Sequence, residues 1–152
     1  MFLSLRADFD EPFFIGRVSA ELAGSTQEDI RRWEHRQHIP IGKRLNPQRI
    51  PKAHYPPRYS PRDTVTIALM AHLTRNIGLD AGRASTIVEQ ASEQLEETCK
   101  LFGGPVFEPA SVTLAAWFEG DTVKTELVGD YLPATATICV DMTGLIFPVL
   151  EK

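Results

Sequence analysis

Cysteine is nearly absent from this chain of 152 residues: Cys99 and Cys139 stand far apart, with no C-x-x-C and no histidine close to either. A disulfide framework needs more thiols than that, so both are expected to be reduced and structural. Long apolar runs are missing too. No stretch approaches the length of a membrane-spanning helix, and the opening MFLSLRADFDEPFF has only a few apolar residues before Asp8, Asp10 and Glu11, not the h-region of a signal peptide. A cytoplasmic protein that does not enter a membrane is expected. The marks of catalysis are also lacking: no serine, cysteine or histidine sits in a nucleophile context, there is no glycine-rich phosphate loop, and Glu96 with Glu97 reads as ordinary exposed helix. No enzyme, no catalytic residue and no cofactor is expected. The histidines His35, His38, His54 and His72 lack ligand spacing, so no metal site is expected either.

One absence is regional. Residues 31–62 contain a single acid, Glu34, against nine cations, Arg31, Arg32, Arg36, Lys43, Arg44, Arg49, Lys52, Arg58 and Arg62, in a chain whose formal net charge is -4. Residues 76–152 hold four basic residues and twelve acids, so the first 75 residues net +4 and the remainder -8. Phosphate attraction supplies most non-specific affinity for nucleic acid, and a basic block inside an acidic chain is the pattern of such a face. The plainer alternative is a solvated basic loop. At 43% hydrophobic residues the chain can bury one core, or a smaller one with an appended module.

Along the chain, Ile15, Val18 and Leu22 recur at helical spacing with Gly24 placed to end the helix. A second helix follows at once, capped either by Thr26 with Asp29 or by Ser25 with Glu28. With Ile30 and Trp33 facing a core, the helical step throws Glu28, Arg31, Arg32 and His35 to the opposite side. Two short helices joined by a few residues with a glycine make a helix-turn-helix, whose second helix enters the DNA major groove. From Ile39 to Arg58, five prolines exclude a helix and any central strand, leaving a basic, partly extended loop. Ser60, Pro61 and Asp63 then open a third helix with Val65, Ala68, Leu69, His72 and Leu73 on its inner side, and Gly78 ends it. Asp80 caps a fourth helix reaching about Leu101, in which Ala84, Val88, Ala91, Leu95, Thr98 and Phe102 form a short heptad-like seam. That seam fits either a partner helix or the chain's own core. After Gly103, Gly104 and Pro105, VTLAAWFEGDTVKTELV alternates around Glu119, Gly120 and Asp121 as a hairpin, and ATATICVDM adds a third strand. The final TGLIFPVLEK fits a short helix or a fourth strand.

From about Phe13 to Val88 this order resembles the winged-helix DNA-binding domain of the MerR family and its excisionase relatives. The residues that carry the resemblance are Phe14-Ile15-Gly16-Arg17-Val18, then Ile30-Arg31-Arg32-Trp33-Glu34, then Ile39-Pro40, then Arg58-Tyr59-Ser60-Pro61-Arg62-Asp63, and Ile77-Gly78-Leu79. One family aromatic is replaced by Arg32, and Gln37-His38 stands where the family usually has Gly-Leu, which leaves the bend into the wing open to differ. Family regulators dimerise through a long antiparallel helix and sense a ligand beyond it. The helix here is shorter, and the small β module after it has no cysteine cluster, so a mercury- or copper-type sensor is not expected.

The fold expected is therefore α+β: a winged helix-turn-helix over residues 13–79, a connecting and dimerisation helix over 80–102, and a small antiparallel β module over 105–152. Arg31 and Arg32 are the expected readers of guanine, and Glu28 either accepts from cytosine or serves the helix start. Lys43, Arg44, Arg49 and Lys52 fit phosphate or minor-groove contacts from the wing, while Tyr55 and Tyr59 lean on the DNA backbone or pin the wing. Arg17, Thr26, His35, Arg36 and Arg58 complete the expected DNA-binding set. Ala84, Val88, Ala91 and Leu95 are the expected homodimer contacts, with the C-terminal module as a second surface for self-association or for a protein partner. The reading is a dimeric, sequence-specific regulator of bacterial or prophage transcription that binds double-stranded DNA. Its rivals are an excisionase-like architectural protein and a protein-interaction winged helix such as a chaperone modulator.

Overall fold

The computed structural model describes residues 14–40, 58–102, 113–128, 135–142 and 144–145. The fold is α+β, with four helices and a three-stranded antiparallel sheet among the described residues. A two-stranded ribbon, β1 (Phe14–Ile15) and β2 (Arg58–Tyr59), pairs antiparallel with Phe14 opposite Tyr59. Helices α1 (Gly16–Leu22) and α2 (Gln27–His35) follow β1, and α3 (Pro61–Ala71) follows β2. The last turn of α3 widens into a π turn, His72–Asn76, before α4 (Ala81–Phe102).

Both short helices end alike. At the end of α1, Gly24 adopts φ 65 and the Ser25 N–H reaches back to the Ala20 carbonyl at 2.9 Å. At the end of α2 the same closure is made without glycine: Gln37 takes φ 57 and the His38 N–H donates to the Trp33 carbonyl at 2.8 Å. Left-handed backbone is free for glycine and strained for glutamine. The bend is therefore made at Gln37 despite its side chain, and it carries Ile39 into the core.

Helix α3 is the centre of the molecule. Its start is fixed as expected: the Asp63 N–H donates to Ser60 Oγ and the Ser60 N–H to Asp63 Oδ2, each at 3.0 Å, with Pro61 at the first position. Val65, Ala68, Leu69 and Leu73 are buried as anticipated, but so are Thr64, Thr66, Ile67 and Met70, whereas His72 is only half-buried. A helix buried on every side has no polar face to mark it, so its threonines must be satisfied internally. Thr66 Oγ1 donates to the Arg62 carbonyl at 2.9 Å, and Thr64 Oγ1 shares a 2.8 Å hydrogen bond with Ser19 of α1.

The sheet has the order β4-β3-β5, with β3 (Thr113–Glu119) and β4 (Thr122–Val128) joined through Gly120 and Asp121 as the alternation predicted. Gly120 supplies φ 63 for the tight turn. Strand β5 (Ile138–Asp141) pairs with β3, setting Leu114 opposite Val140, and turns Ile138 and Val140 inward while Cys139 and Asp141 face out. Helix α4 lies on this sheet, anchored where Gln90 Nε2 donates to the Val123 carbonyl at 2.8 Å.

That packing corrects one expectation. Ala84, Val88 and Ala91 are 0%, 1% and 1% exposed within the single chain, packed in the core among residues of α3 and the sheet, so they do not form a seam open to a partner helix; the Leu95 side chain lies outside the described residues. One hydrophobic core runs from Ala20 to Met142, across the boundaries expected near residues 79 and 105. No helix among the described residues is long and apolar enough to cross a membrane.

Candidate functional site

Helix α2 carries the largest share of the expected site. Thr26 caps it, its hydroxyl accepting from the Asp29 N–H at 3.1 Å, which settles the start in favour of Thr26 over Ser25. Ile30 and Trp33 are buried, and Glu28, Arg31, Arg32, His35 and Arg36 are exposed, so the division into two faces is as the spacing predicted. Among the described residues, Glu28, Arg31, His35 and Arg36 form no ion pair.

Arg32 differs from its neighbours because its guanidinium binds the Asp29 carboxylate one turn earlier. The other oxygen of Asp29 is taken by Arg75 from the π turn, and Arg75 also donates to the Gly24 carbonyl at 3.1 Å. Asp29 thus joins the second helix to the turn that follows α3 through Arg75, while Arg32 holds the same carboxylate from within α2. Arg75 lies 46 positions from Asp29, and no local pattern in the sequence marks it. Arg32 is tied into this junction as well as standing on the exposed face, which separates it from Arg31.

A second anchor is on the other flank of α2, where the Tyr59 hydroxyl donates to Glu34 Oε1 at 2.8 Å. Tyr59 is buried, so of its two expected roles it takes that of a pin. It holds β2 against α2. Arg62 departs from the basic block altogether, because it is buried in the first turn of α3.

Arg17 is exposed on α1. Lys43, Arg44, Arg49, Lys52 and Tyr55 lie outside the described residues, as does the side chain of Arg58, whose backbone pairs with Ile15. What the structure brings together is therefore the outer ridge of α2, with Arg17 on the neighbouring helix and the β1–β2 ribbon bracketing the segment with the remaining cations. Comparison of the chain with protein-family models, curated proteins and solved structures gives no match.

Proposed function

We propose that the chain is a sequence-specific, double-stranded-DNA-binding regulator of transcription built on a winged helix-turn-helix, with α2 as the helix that enters the major groove. The observation that carries this reading is the outer ridge of α2. Glu28, Arg31 and His35 project from one face of a helix whose other face is fixed by Ile30 and Trp33, and none of the three is bound in an ion pair among the described residues. Charged side chains at successive turns of an anchored helix suit the donors and acceptors of base edges, with Arg31 matched to guanine and Glu28 to a cytosine amine.

The surrounding geometry supports the same reading. The chain leaves α2 through the buried Ile39 and returns at Arg58, whose pairing with Ile15 sets it beside the start of α1, and the sequence between them holds Lys43, Arg44, Arg49 and Lys52. A basic wing beside a recognition helix contacts the backbone phosphates while the helix reads bases. The bland alternative for a basic block, a solvated loop, gives no reason for the exposed ridge on α2. Two copies on two half-sites remain part of the proposal, because a single short helix spans few base pairs. Their contacts would come from a surface other than the buried Ala84, Val88 and Ala91.

The test is a titration of duplex DNA with the full chain at several salt concentrations. If about five to eight phosphates are neutralised, the log-log slope of affinity against salt is near -0.9 per phosphate. A flat salt response, or no binding at low salt, rejects the proposal. Enrichment of sites from genomic DNA then separates its variants: promoters favour regulation, an attachment locus favours an architectural role, and no enrichment favours a protein-binding winged helix.

A further inference from the structure

A cavity of about 350 Å³ opens on the flank of α2, between that helix, the π turn and the first residues of α4. Small-molecule sites begin at roughly this size, about 300 Å³. Three guanidiniums line it: Arg32 on α2, Arg36 four residues later at the C-terminal cap of that helix, and Arg75 from the π turn. Asp29 is the one carboxylate in the wall, and each of its oxygens is already taken by an arginine, Arg32 on one side and Arg75 on the other. Three fixed positive charges against one negative leave the cavity cationic. Arg36 has no ionic partner among the described residues.

Guanidinium forks offer only donors and match the oxygens of phosphate in pairs.

We propose that this cavity is an oxyanion site that takes a phosphoryl group, held by Arg36 and Arg32 from one side and Arg75 from the other. It is set apart from the Glu28, Arg31 and His35 ridge, because Arg32 and Arg36 occupy the neighbouring flank of the helix. The site stands whether or not that ridge reads DNA. Its phosphoryl group is either a free phosphate ion or phosphomonoester, or a phosphate of a DNA strand. The two sources share their chemistry and part in experiment.

In the first arm, the melting temperature of the full chain is followed in sodium phosphate and in sodium chloride at equal ionic strength. A free-phosphate site raises it with concentration, as binding to the native state alone requires. Arg36→Gln should weaken that affinity roughly tenfold, the loss of a charge-assisted contact. Because Arg36 is exposed and has no ion pair among the described residues, this variant should keep the fold. Asp29→Asn removes the competing carboxylate and should tighten phosphate binding, the opposite of what general damage would do.

In the second arm, Arg36→Gln is compared with the unaltered chain on duplex DNA. A DNA phosphate in the cavity makes the variant's salt slope shallower by about 0.9, with no phosphate-specific stabilisation in the first arm. Phosphate-specific stabilisation in a chain that binds no DNA would keep the site and reject the regulator reading. Equal melting in both salts, together with a salt slope untouched by Arg36→Gln or no DNA binding at all, overturns the oxyanion site.

Discussion

The Tyr59 hydroxyl donates to Glu34 at 2.8 Å, linking a strand of the two-stranded ribbon to the second helix across 25 positions of sequence. The acceptor is a carboxylate in a part-buried setting, where such a bond is stronger than one between neutral groups. Tyr59→Phe removes the hydroxyl that makes this bond and keeps the ring in the core. It should lower unfolding free energy by about 1–2 kcal/mol in a urea titration. Unchanged stability would mean that the ribbon is held without it.

Gln37 is the one described residue other than glycine with positive φ, and it closes α2 just before the chain turns toward the basic segment. Gln37→Gly should raise stability by about 0.5–1 kcal/mol, since the glycine adopts that backbone without a Cβ clash and the relief exceeds the added freedom of the unfolded chain. A fall in the denaturation midpoint would show that the left-handed turn is not strained.

Arg31 and Arg32 are adjacent in sequence and unlike in surroundings, so their alanine variants should diverge. Arg31→Ala should relax base preference, cost about 1–3 kcal/mol of DNA affinity, and leave folding stability unchanged. Arg32→Ala should also reduce stability, by less than about 1 kcal/mol because its pair with Asp29 is half-exposed. Selection of bound sites from a random DNA pool, alongside thermal melts of both variants, measures the difference. Unaltered site preference in Arg31→Ala would remove α2 from the groove.

Ala91 distinguishes a helix that packs on its own chain from one that offers a seam to a partner. At an open seam a leucine would add apolar contact, whereas in the filled core at Ala91 it overpacks. Ala91→Leu should therefore cost about 1–3 kcal/mol of stability. A gain in stability that depends on protein concentration would restore the seam.

Removal of residues 105–152 should unfold more than the sheet. Leu114, Val123, Val140 and Met142 share one core with Ile87, Val88 and Leu69, so a fragment ending at residue 104 exposes apolar surface of α3 and α4. Circular dichroism of that fragment should show a lower or non-cooperative melt. A cooperative transition at the full-length temperature would instead establish an independent N-terminal unit.

Much of the local structure was legible in the sequence. The Thr26 and Ser60 caps, the Gly24 ending, the Ile30–Trp33 inner face and the Gly120 hairpin were each set by residues within a few positions of one another. Hydrogen-bonded caps, backbone preference and periodic burial act over one or two turns, so sequence order contains them. What covers a face is a different matter. The seam of Ala84, Val88 and Ala91 could have met a second copy or its own domain with equal local fitness, and only the packing of α4 on α3 and β4 decided between them. The same holds for Arg62, which counts as one more cation in the sequence yet lies inside the fold, and for Asp29, whose carboxylate reaches Arg75 only because α3 ends beside the turn between α1 and α2. Charge and periodicity specify which side chains can be buried or paired; the tertiary arrangement specifies which are, because desolvation and long-range contact depend on the neighbours that the whole chain brings together.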